Sequence, residues 1–330
     1  MGEPLRPDLS VIVLNYNGRS FLPGCLDALA SQVGAPPFEV ILVDNASADG
    51  SAEFVRSHYP GVRVLETGAN LGFAAGNNAG ARTARGRALV FLNNDTIPAS
   101  DWLVRLHAAL SDRPEFGLAT SRLVTMDDEN ALDSAGDGYF HAGGAFKHGH
   151  GGAAARHLVS REVFGACGAA FAIKREIFEA LGGFDKSFFM VYEDVDLSYR
   201  ARLGGHRVWY AADAIVRHAG SGTLGVASPA AVYYGQRNLE WTWIKNTPVP
   251  LLWRTAVPHA IYSLAGLAYY ARRGRLWPAL RAKLAALAGL PRVLRTRRAV
   301  QRSAVASPAS VEALMERRWL AAKRREKRAL

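Results

Sequence analysis

The chain has 330 residues, 49% of them hydrophobic and 21% charged, enough apolar content for a sizeable core, which excludes a disordered chain. Its net charge of +11 is uneven: residues 1–230 carry 20 Lys+Arg against 25 Asp+Glu and residues 231–330 carry 20 against 4, so the basic excess says nothing about the front part. Cys25 and Cys167 are the only cysteines and lack metal-type spacing, which excludes a disulfide framework and a structural zinc site.

In chain order, the residues before Leu9 lack the apolar stretch of a signal peptide, and a cytoplasmic protein is expected. Leu9 to Leu14 is a short apolar run ending in Asn15-Tyr16-Asn17-Gly18, followed from Ser20 to Val33 by helical spacing of Phe21, Leu22, Leu26 and Leu29. Phe38 to Val43 repeats the pattern and ends in Asp44-Asn45-Ala46-Ser47, before a helix to about Ser57. Val62 to Leu65 reads as a third strand and Gly72 to Arg85 as a third helix, opened by Asn70-Leu71-Gly72. Ala88 to Leu92 is a fourth strand, halted at Asn93-Asn94-Asp95-Thr96. Strands alternating with helices imply a mostly parallel sheet, whose ligands bind beyond the strands' carboxyl ends. Asn15, Tyr16, Asp44, Asn94 and Asp95 are therefore expected in one crevice. No GxGxxG follows the first strand and no GxxxxGK[ST] occurs, which disfavours a dinucleotide dehydrogenase or P-loop enzyme.

A helix over Asp101 to Ser111 and a strand over Phe116 to Thr120 follow. Met126 to Ala155 is rich in Gly, Asp and His with little periodicity, and reads as a hairpin or mobile loop near the site. Its histidines lack cysteine or carboxylate partners at ligand spacing. Gly165 to Ile173 is a small-residue strand, Lys174 to Leu181 a helix, and His206 to Tyr210 and Ala214 to His218 are two short strands, with Ser221-Gly222-Thr223 behind. Between them, Tyr192-Glu193-Asp194-Val195-Asp196 places three carboxylates within four residues at a helix start, where the macrodipole favours their ionised form. Asp196 and Arg200, four apart, read as an exposed pair.

The runs around Asn15-Tyr16-Asn17, Asp44-Asn45-Ala46-Ser47, Asn70-Leu71-Gly72 with Asn77, Asn93-Asn94-Asp95, Gly182-Gly183-Phe184-Asp185, Glu193-Asp194-Val195-Asp196 and Val216-Arg217-His218 occur together in this order. From Leu9 to Thr223 the chain thereby resembles the inverting nucleotide-sugar glycosyltransferases of family 2, with the GT-A fold, and most the rhamnosyltransferase-like branch. The resemblance implies an α/β fold, Rossmann-like, with a mostly parallel central sheet and flanking helices. The front domain would span 1–228, with a nucleotide-sugar half to about residue 120 and an acceptor half from 121. It implies that Asn15 and Tyr16 line the base pocket, that Asp44 bonds the pyrimidine or ribose, and that Asn70, Gly72, Asn77 and Asn94 help hold the donor. Asp44 also suits a turn, and Asn70 to Asn77 suit helix-start chemistry. Asp95 matches the last position of the family's DxD signature and His218 the family's metal-ligating imidazole, implying Mg²⁺ or Mn²⁺ on the diphosphate. Here the triplet is Asn93-Asn94-Asp95, with one carboxylate. Asp194 would be the base that takes the acceptor proton, while Glu193 and Asp196 orient sugar hydroxyls.

The resemblance further implies a nucleoside-diphospho-sugar donor, dTDP-rhamnose first, with UDP-hexose, UDP-N-acetylhexosamine or UDP-galactofuranose as alternatives, and an acceptor glycan carried on polyprenyl diphosphate. A non-catalytic glycan- or nucleotide-sugar-binding scaffold is the alternative of another class. Residues 229–330 form a basic helical appendage. Thr255 to Ala271 is apolar but shorter than the ~20 residues that span a bilayer, and Pro258 interrupts it. Leu276 to Arg298 interleaves Leu, Ala and Trp277 with arginines, a composition suited to an anionic membrane surface. Peripheral attachment to the inner face of the cell membrane is expected. Charge alone would also allow nucleic acid, but no recognition motif supports it.

Overall fold

The computed structural model describes residues 6–220 and 228–323. Strands and helices alternate first: β1 (Leu9–Asn15), α1 (Leu22–Ala30), β2 (Phe38–Asp44), α2 (Ser51–His58), β3 (Val62–Glu66), α3 (Gly72–Thr83) and β4 (Ala88–Asn93). β5 (Thr96–Pro98), α4 (Trp102–Ser111) and β6 (Phe116–Thr125) follow, then four short strands, β7 (Leu132–Ser134), β8 (Asp137–Tyr139), β9 (Ala145–Lys147) and β10 (Arg161–Val163). Next come β11 (Ala170–Lys174), α5 (Arg175–Ala180), α6 (Glu193–Leu203) and β12 (Arg207–His218). The C-terminal part holds α7 (Pro229–Asn246), α8 (Val249–Ala271), α9 (Leu276–Ala288), α10 (Leu290–Arg302) and α11 (Pro308–Glu312).

The central sheet runs β10-β12-β6-β11-β4-β1-β2-β3, with β5 on β12 and β7 on β6. From β4 to β3 it is parallel, and Asn15 stands beside Asp44 and Leu14 beside Asn93. β11 is antiparallel to both β4 and β6. The parallel strands are apolar at nearly every position because both faces are covered. Val11 and Val13 pack with Leu22 and Leu26 of α1 and Trp102 of α4, whereas Ile12 packs with Val43 and with Ala74 and Ala81 of α3. The residues facing the helices are mostly apolar, and the large polar clusters are left to the strand ends.

Several elements differ from the sequence reading. The two strands expected over His206–Tyr210 and Ala214–His218 are one, β12, with a register shift between Ala211 and Ile215; the bulge breaks the alternation that would have revealed continuity. β6 extends to Thr125. Only Ala170–Lys174 of the small-residue run is a strand, and Gly165 to Ala169 passes beside α6. Within Met126 to Ala155, β7 joins the sheet and β8 and β9 form a hairpin. Ser221 to Thr223 lie outside the described residues.

The Asp196–Arg200 pair is buried, not exposed, because α7 covers that face of α6. The Asp196 side chain has 0% of its surface exposed and Arg200 7%. Arg200 Nε donates to Asp196 Oδ2 at 2.8 Å, and Asn246 Nδ2 and Lys245 Nζ reach Oδ1 at 2.8 and 2.7 Å. Lys245, itself 1% exposed, also donates to Asp185 Oδ2 at 2.7 Å. Removing one member of such a network strands a charge in the interior. Lys245→Met is therefore expected to cost about 3–5 kcal/mol, read as a lowered thermal unfolding midpoint; an unchanged midpoint would show that the junction is not load-carrying.

Candidate active site

The carboxyl ends of β1, β2 and β4 meet through Asn15. Its amide nitrogen donates to Asp44 Oδ1 at 3.3 Å and to Ser47 Oγ at 3.1 Å, and its amide oxygen accepts from Asn94 Nδ2 at 2.6 Å. Asp44 Oδ2 accepts from the Ser47 N–H at 3.1 Å, so the carboxylate closes its own turn as well. Tyr16 stands exposed at the rim. Gly18 is required where the chain passes over this cluster, since a Cβ there would lie 2.0 Å from Asn94 Nδ2. Asn15, Asp44 and Asn94 thus share one buried polar cluster.

Asn70, Gly72 and Asn77 behave differently. Asn70 Oδ1 accepts from the Gly72 N–H and from Asn45 Nδ2, while Asn77 Nδ2 donates to the Phe73 carbonyl within α3. Gly72 has φ of +77°, and a Cβ on it would sit 2.5 Å from the Phe189 carbonyl oxygen. These residues build the start of α3 and let the loop before α6 rest on it.

Asp95 and His218 come together from β4 and the end of β12, with His218 Nε2 3.4 Å from Asp95 Oδ1. That Asp95 oxygen is enclosed and accepts no hydrogen bond. His218 Nδ1 lies 2.9 Å from Asp133 Oδ2, and Asp133 also takes both its bonds from Lys147 Nζ at 2.9 Å and pairs with His150. Burial alone would raise Asp133, but His150, His218 and Lys147 together hold it far below the usual carboxylate range. Burial would likewise lower His218, yet the bond to Asp133 and the nearby carboxylate of Asp95 push it up to about 9. With a carboxylate behind Nδ1 the ring keeps that proton, so that Nε2 is the nitrogen freed on deprotonation, on the side of Asp95; this is the usual backing of a metal-binding histidine.

The third cluster adjoins the second: the Asn93 N–H donates to the Ala169 carbonyl at 2.9 Å, and the Gly168 N–H donates to Asp194 Oδ2 at 2.8 Å. Asp194 Oδ1 accepts from the Val195 N–H at 2.7 Å. One ligand atom each of Asp194, Asp137 and Cys167 lie within 4.8 Å of one another. Burial raises all three, and the charge of Asp194 adds to the rise in Asp137 and in Glu193. Asp137 Oδ1 and Glu193 Oε2 are enclosed without a hydrogen-bond partner. Asp194 alone of these carboxyls accepts backbone N–H bonds on both oxygens, and it is less buried than Asp137 or Glu193. The environments push neighbouring carboxyls apart: burial raises Asp137 and Glu193 well above the usual carboxylate range, while at Asp194 the Gly168 and Val195 N–H groups oppose the rise.

The loop leading into α6 is strained. Phe189, Val191 and Tyr192 have φ of +65°, +64° and +77°, a region that a β-branched residue such as valine rarely enters. α7 holds it there. Asn238 Nδ2 donates to the carbonyls of Phe188, Met190 and Val191 at 2.7–3.0 Å, and Arg237 Nη2 to those of Ser187 and Phe188 at 2.9 and 3.0 Å. Tyr192 Oη accepts from the Ala145 N–H of β9, fixing the other side.

The family model "Glycosyl transferase family 2" matches residues 10–182, more than half of the chain. The chain belongs to glycosyl transferase family 2. Among curated relatives of this glycosyltransferase, the N-acetylglucosaminyl-diphospho-decaprenol L-rhamnosyltransferase of Mycobacterium tuberculosis is 30% identical over 241 residues, 64% of this chain and 75% of that one. The O-antigen biosynthesis protein RfbC of Myxococcus xanthus is 29% identical over 239 residues, 69% of this chain. The chain spans 18% of RfbC and 24% of a Sinorhizobium fredii relative. Among solved structures, the mannosyltransferase PcManGT of Pyrobaculum calidifontis, in complex with GDP-Man and Mn²⁺, superposes with a TM-score of 0.55 at 23% identity, covering 90% of this chain and 86% of that one. The glycosyltransferase fold is GT-A, an α/β sheet with a helical C-terminal region.

Asp133 and Asp137 were not legible as site residues, because Met126 to Ala155 has no periodicity to place them; two carboxylates four apart in a Gly- and His-rich stretch were the only signal. Asp196 is corrected: its oxygens are taken by Arg200, Asn246 and Lys245 in the core, so it anchors α6 to α7 instead of orienting a sugar. For the glycosyltransferase reaction, Asp194→Asn is expected to lower kcat about 10²–10⁴-fold, and Glu193→Gln and Asp137→Asn, which mimic neutral acids, much less. Because the Asp194 pKa is raised and the base must be ionised, kcat/KM falls as pH drops, starting nearer neutrality than for an exposed carboxylate. Wild-type turnover by Asp194→Asn would overturn the assignment.

Proposed function

We propose that this family 2 enzyme transfers a sugar from a nucleoside diphosphate to a hydroxyl of a lipid-linked glycan by a single displacement that inverts the anomeric carbon. The observation that carries the reading is that the Asp95–His218 edge and Asp194 adjoin through backbone bonds: the Asn93 N–H, two residues before Asp95, donates to the Ala169 carbonyl, and the preceding Gly168 N–H donates to Asp194. Asn15, Tyr16, Asp44 and Asn94 hold the base and ribose, while Asn70, Gly72 and Asn77 serve the donor indirectly through the start of α3. Asp194 accepts the proton of the attacking hydroxyl, kept ionised by the Gly168 and Val195 N–H groups. Glu193 beside it, raised by burial, serves to orient a sugar hydroxyl.

The residues present fit a divalent cation: Asp95 Oδ1 is enclosed without a partner, and His218 Nε2 faces it. One hard oxygen and one imidazole, completed by diphosphate oxygens and water, suit Mn²⁺ or Mg²⁺. When bound, such an ion neutralises the diphosphate leaving group. The relative named for decaprenol-linked rhamnosyl transfer supports a polyprenyl-diphosphate acceptor and dTDP-rhamnose as first donor, and RfbC supports a place in cell-wall or surface polysaccharide synthesis. The division at about residue 229 into a catalytic part and an attaching part goes with this reading, as does a peripheral position on the inner face of the cell membrane.

Calorimetry with dTDP-rhamnose and UDP-sugars, with Mn²⁺, Mg²⁺ or chelator, tests it. Metal-dependent binding of one donor is expected, and no binding of any donor to folded protein sinks the reading. Because the free imidazole holds its proton to about 9, Mn²⁺ binding should release a proton and strengthen as pH rises. Asp133→Asn is expected to weaken Mn²⁺ binding about 10–100-fold, measured in the same titration.

A further inference from the structure

α8 and α9 lie side by side against α7, fastened at one carboxylate. Glu240 of α7 accepts from His259 and Ser263 of α8 at 2.8 and 2.9 Å and from Lys283 of α9 at 2.5 Å. Burial opposes this charge, but the His259 bond and Lys283 bring Glu240 down to about 2. The His259 ring stacks on Trp243 of α7 at 3.9 Å. Toward α7 and the body the two helices bury Leu251, Thr255 and His259 and the small residues Ala279, Ala282 and Ala286.

The opposite faces are apolar and bare. On α8, Trp253, Val257, Ile261 and Leu264 are 81%, 68%, 54% and 64% exposed; on α9, Trp277, Leu280, Leu284 and Leu287 are 66%, 38%, 63% and 65% exposed. Spacings of three and four residues put each set on one helix face. Eight large side chains on two neighbouring helices exceed the scattered apolar residues of an ordinary surface. From Val249 to Arg302 the chain has 11 Lys+Arg and no Asp or Glu. Arg272 and Arg273 stand exposed at the α8–α9 turn, Arg281 on α9, and Arg292, Arg295 and Arg298 on α10.

We infer that the outward faces of α8 and α9 seat in the headgroup region of an anionic bilayer, with Trp253 and Trp277 at the headgroup–acyl boundary and the arginines on the phosphates. This rests on the peripheral attachment proposed above and assigns it to a surface. Charge complementarity selects the bilayer: a second copy would bring two acid-free basic faces together across a symmetric interface, whereas anionic headgroups satisfy the arginines. No helix among the described residues is long and apolar enough to cross a membrane, so the pair lies in the plane of the surface. The apolar stripe thus begins on α8, ahead of the arginine-rich segment that composition alone singles out.

Flotation of the full chain with vesicles of phosphatidylcholine alone or with phosphatidylglycerol tests this. Wild type should bind the anionic vesicles, with a blue shift of tryptophan fluorescence and loss at high salt. The double variant Trp253→Glu, Trp277→Glu, in exposed positions, should bind at least 10-fold more weakly while keeping its unfolding midpoint and its donor titration. Equal vesicle binding by wild type and variant overturns the inference, as does a wild type that ignores vesicles and forms a dimer lost in the variant. Donor binding is read separately, so failure here leaves the glycosyltransferase reading standing.

Discussion

The strained turn before α6 depends on hydrogen bonds that it cannot make for itself. Phe189, Val191 and Tyr192 sit at positive φ, at a cost on the order of 1–3 kcal/mol each, and the loop presents four of its carbonyls to α7. Asn238 and Arg237 take up the carbonyls of Ser187, Phe188, Met190 and Val191. Below them the buried Asp196, Arg200, Lys245 and Asn246, with the partly exposed Asp185, lock α6 to α7. Asp194 begins the helix held by these bonds. The C-terminal part therefore fixes the backbone that presents Asp194, the proposed base.

Charge at the site is separated by environment. On the β12 side, Asp133 is stabilised by three cationic or hydrogen-bonding partners and backs His218, leaving Nε2 toward an oxygen of Asp95 that has no other partner. On the α6 side, burial raises Asp137 and Glu193 well above the usual carboxylate range, while two backbone N–H groups support charge on Asp194. The carboxyl with hydrogen-bond donors can act as a base, and burial raises its proton affinity. Lys147, opposite Asp137 in the β8–β9 hairpin and bonded to Asp133, lies between the two systems.

Asn15, Asp44 and Asn94 were legible because parallel strands place their carboxyl-terminal residues in register, so a polar residue after each apolar run marks the crevice. The convergence of Asp95 with His218, by contrast, was implied only by family resemblance: 123 positions of chain separate them in the sequence, and β5 pairing with β12 brings them together. Asn70, Gly72 and Asn77 were placed correctly in the chain, but their bonds serve the start of α3 and the approach of Phe189.

By itself the sequence determined the α/β architecture, the order of the strand-end clusters, the family and the placement of basic charge in the last third, because period and motif order are local or additive properties. Tertiary structure decided that the Asp196–Arg200 pair is buried under α7, that Asp133 backs His218 and Asp137 faces Asp194, and that α8 and α9 turn Trp253 and Trp277 outward. Each of these is a contact between segments far apart in the chain, or the choice of which helix face meets a neighbour. Neither is encoded in the spacing of a single segment.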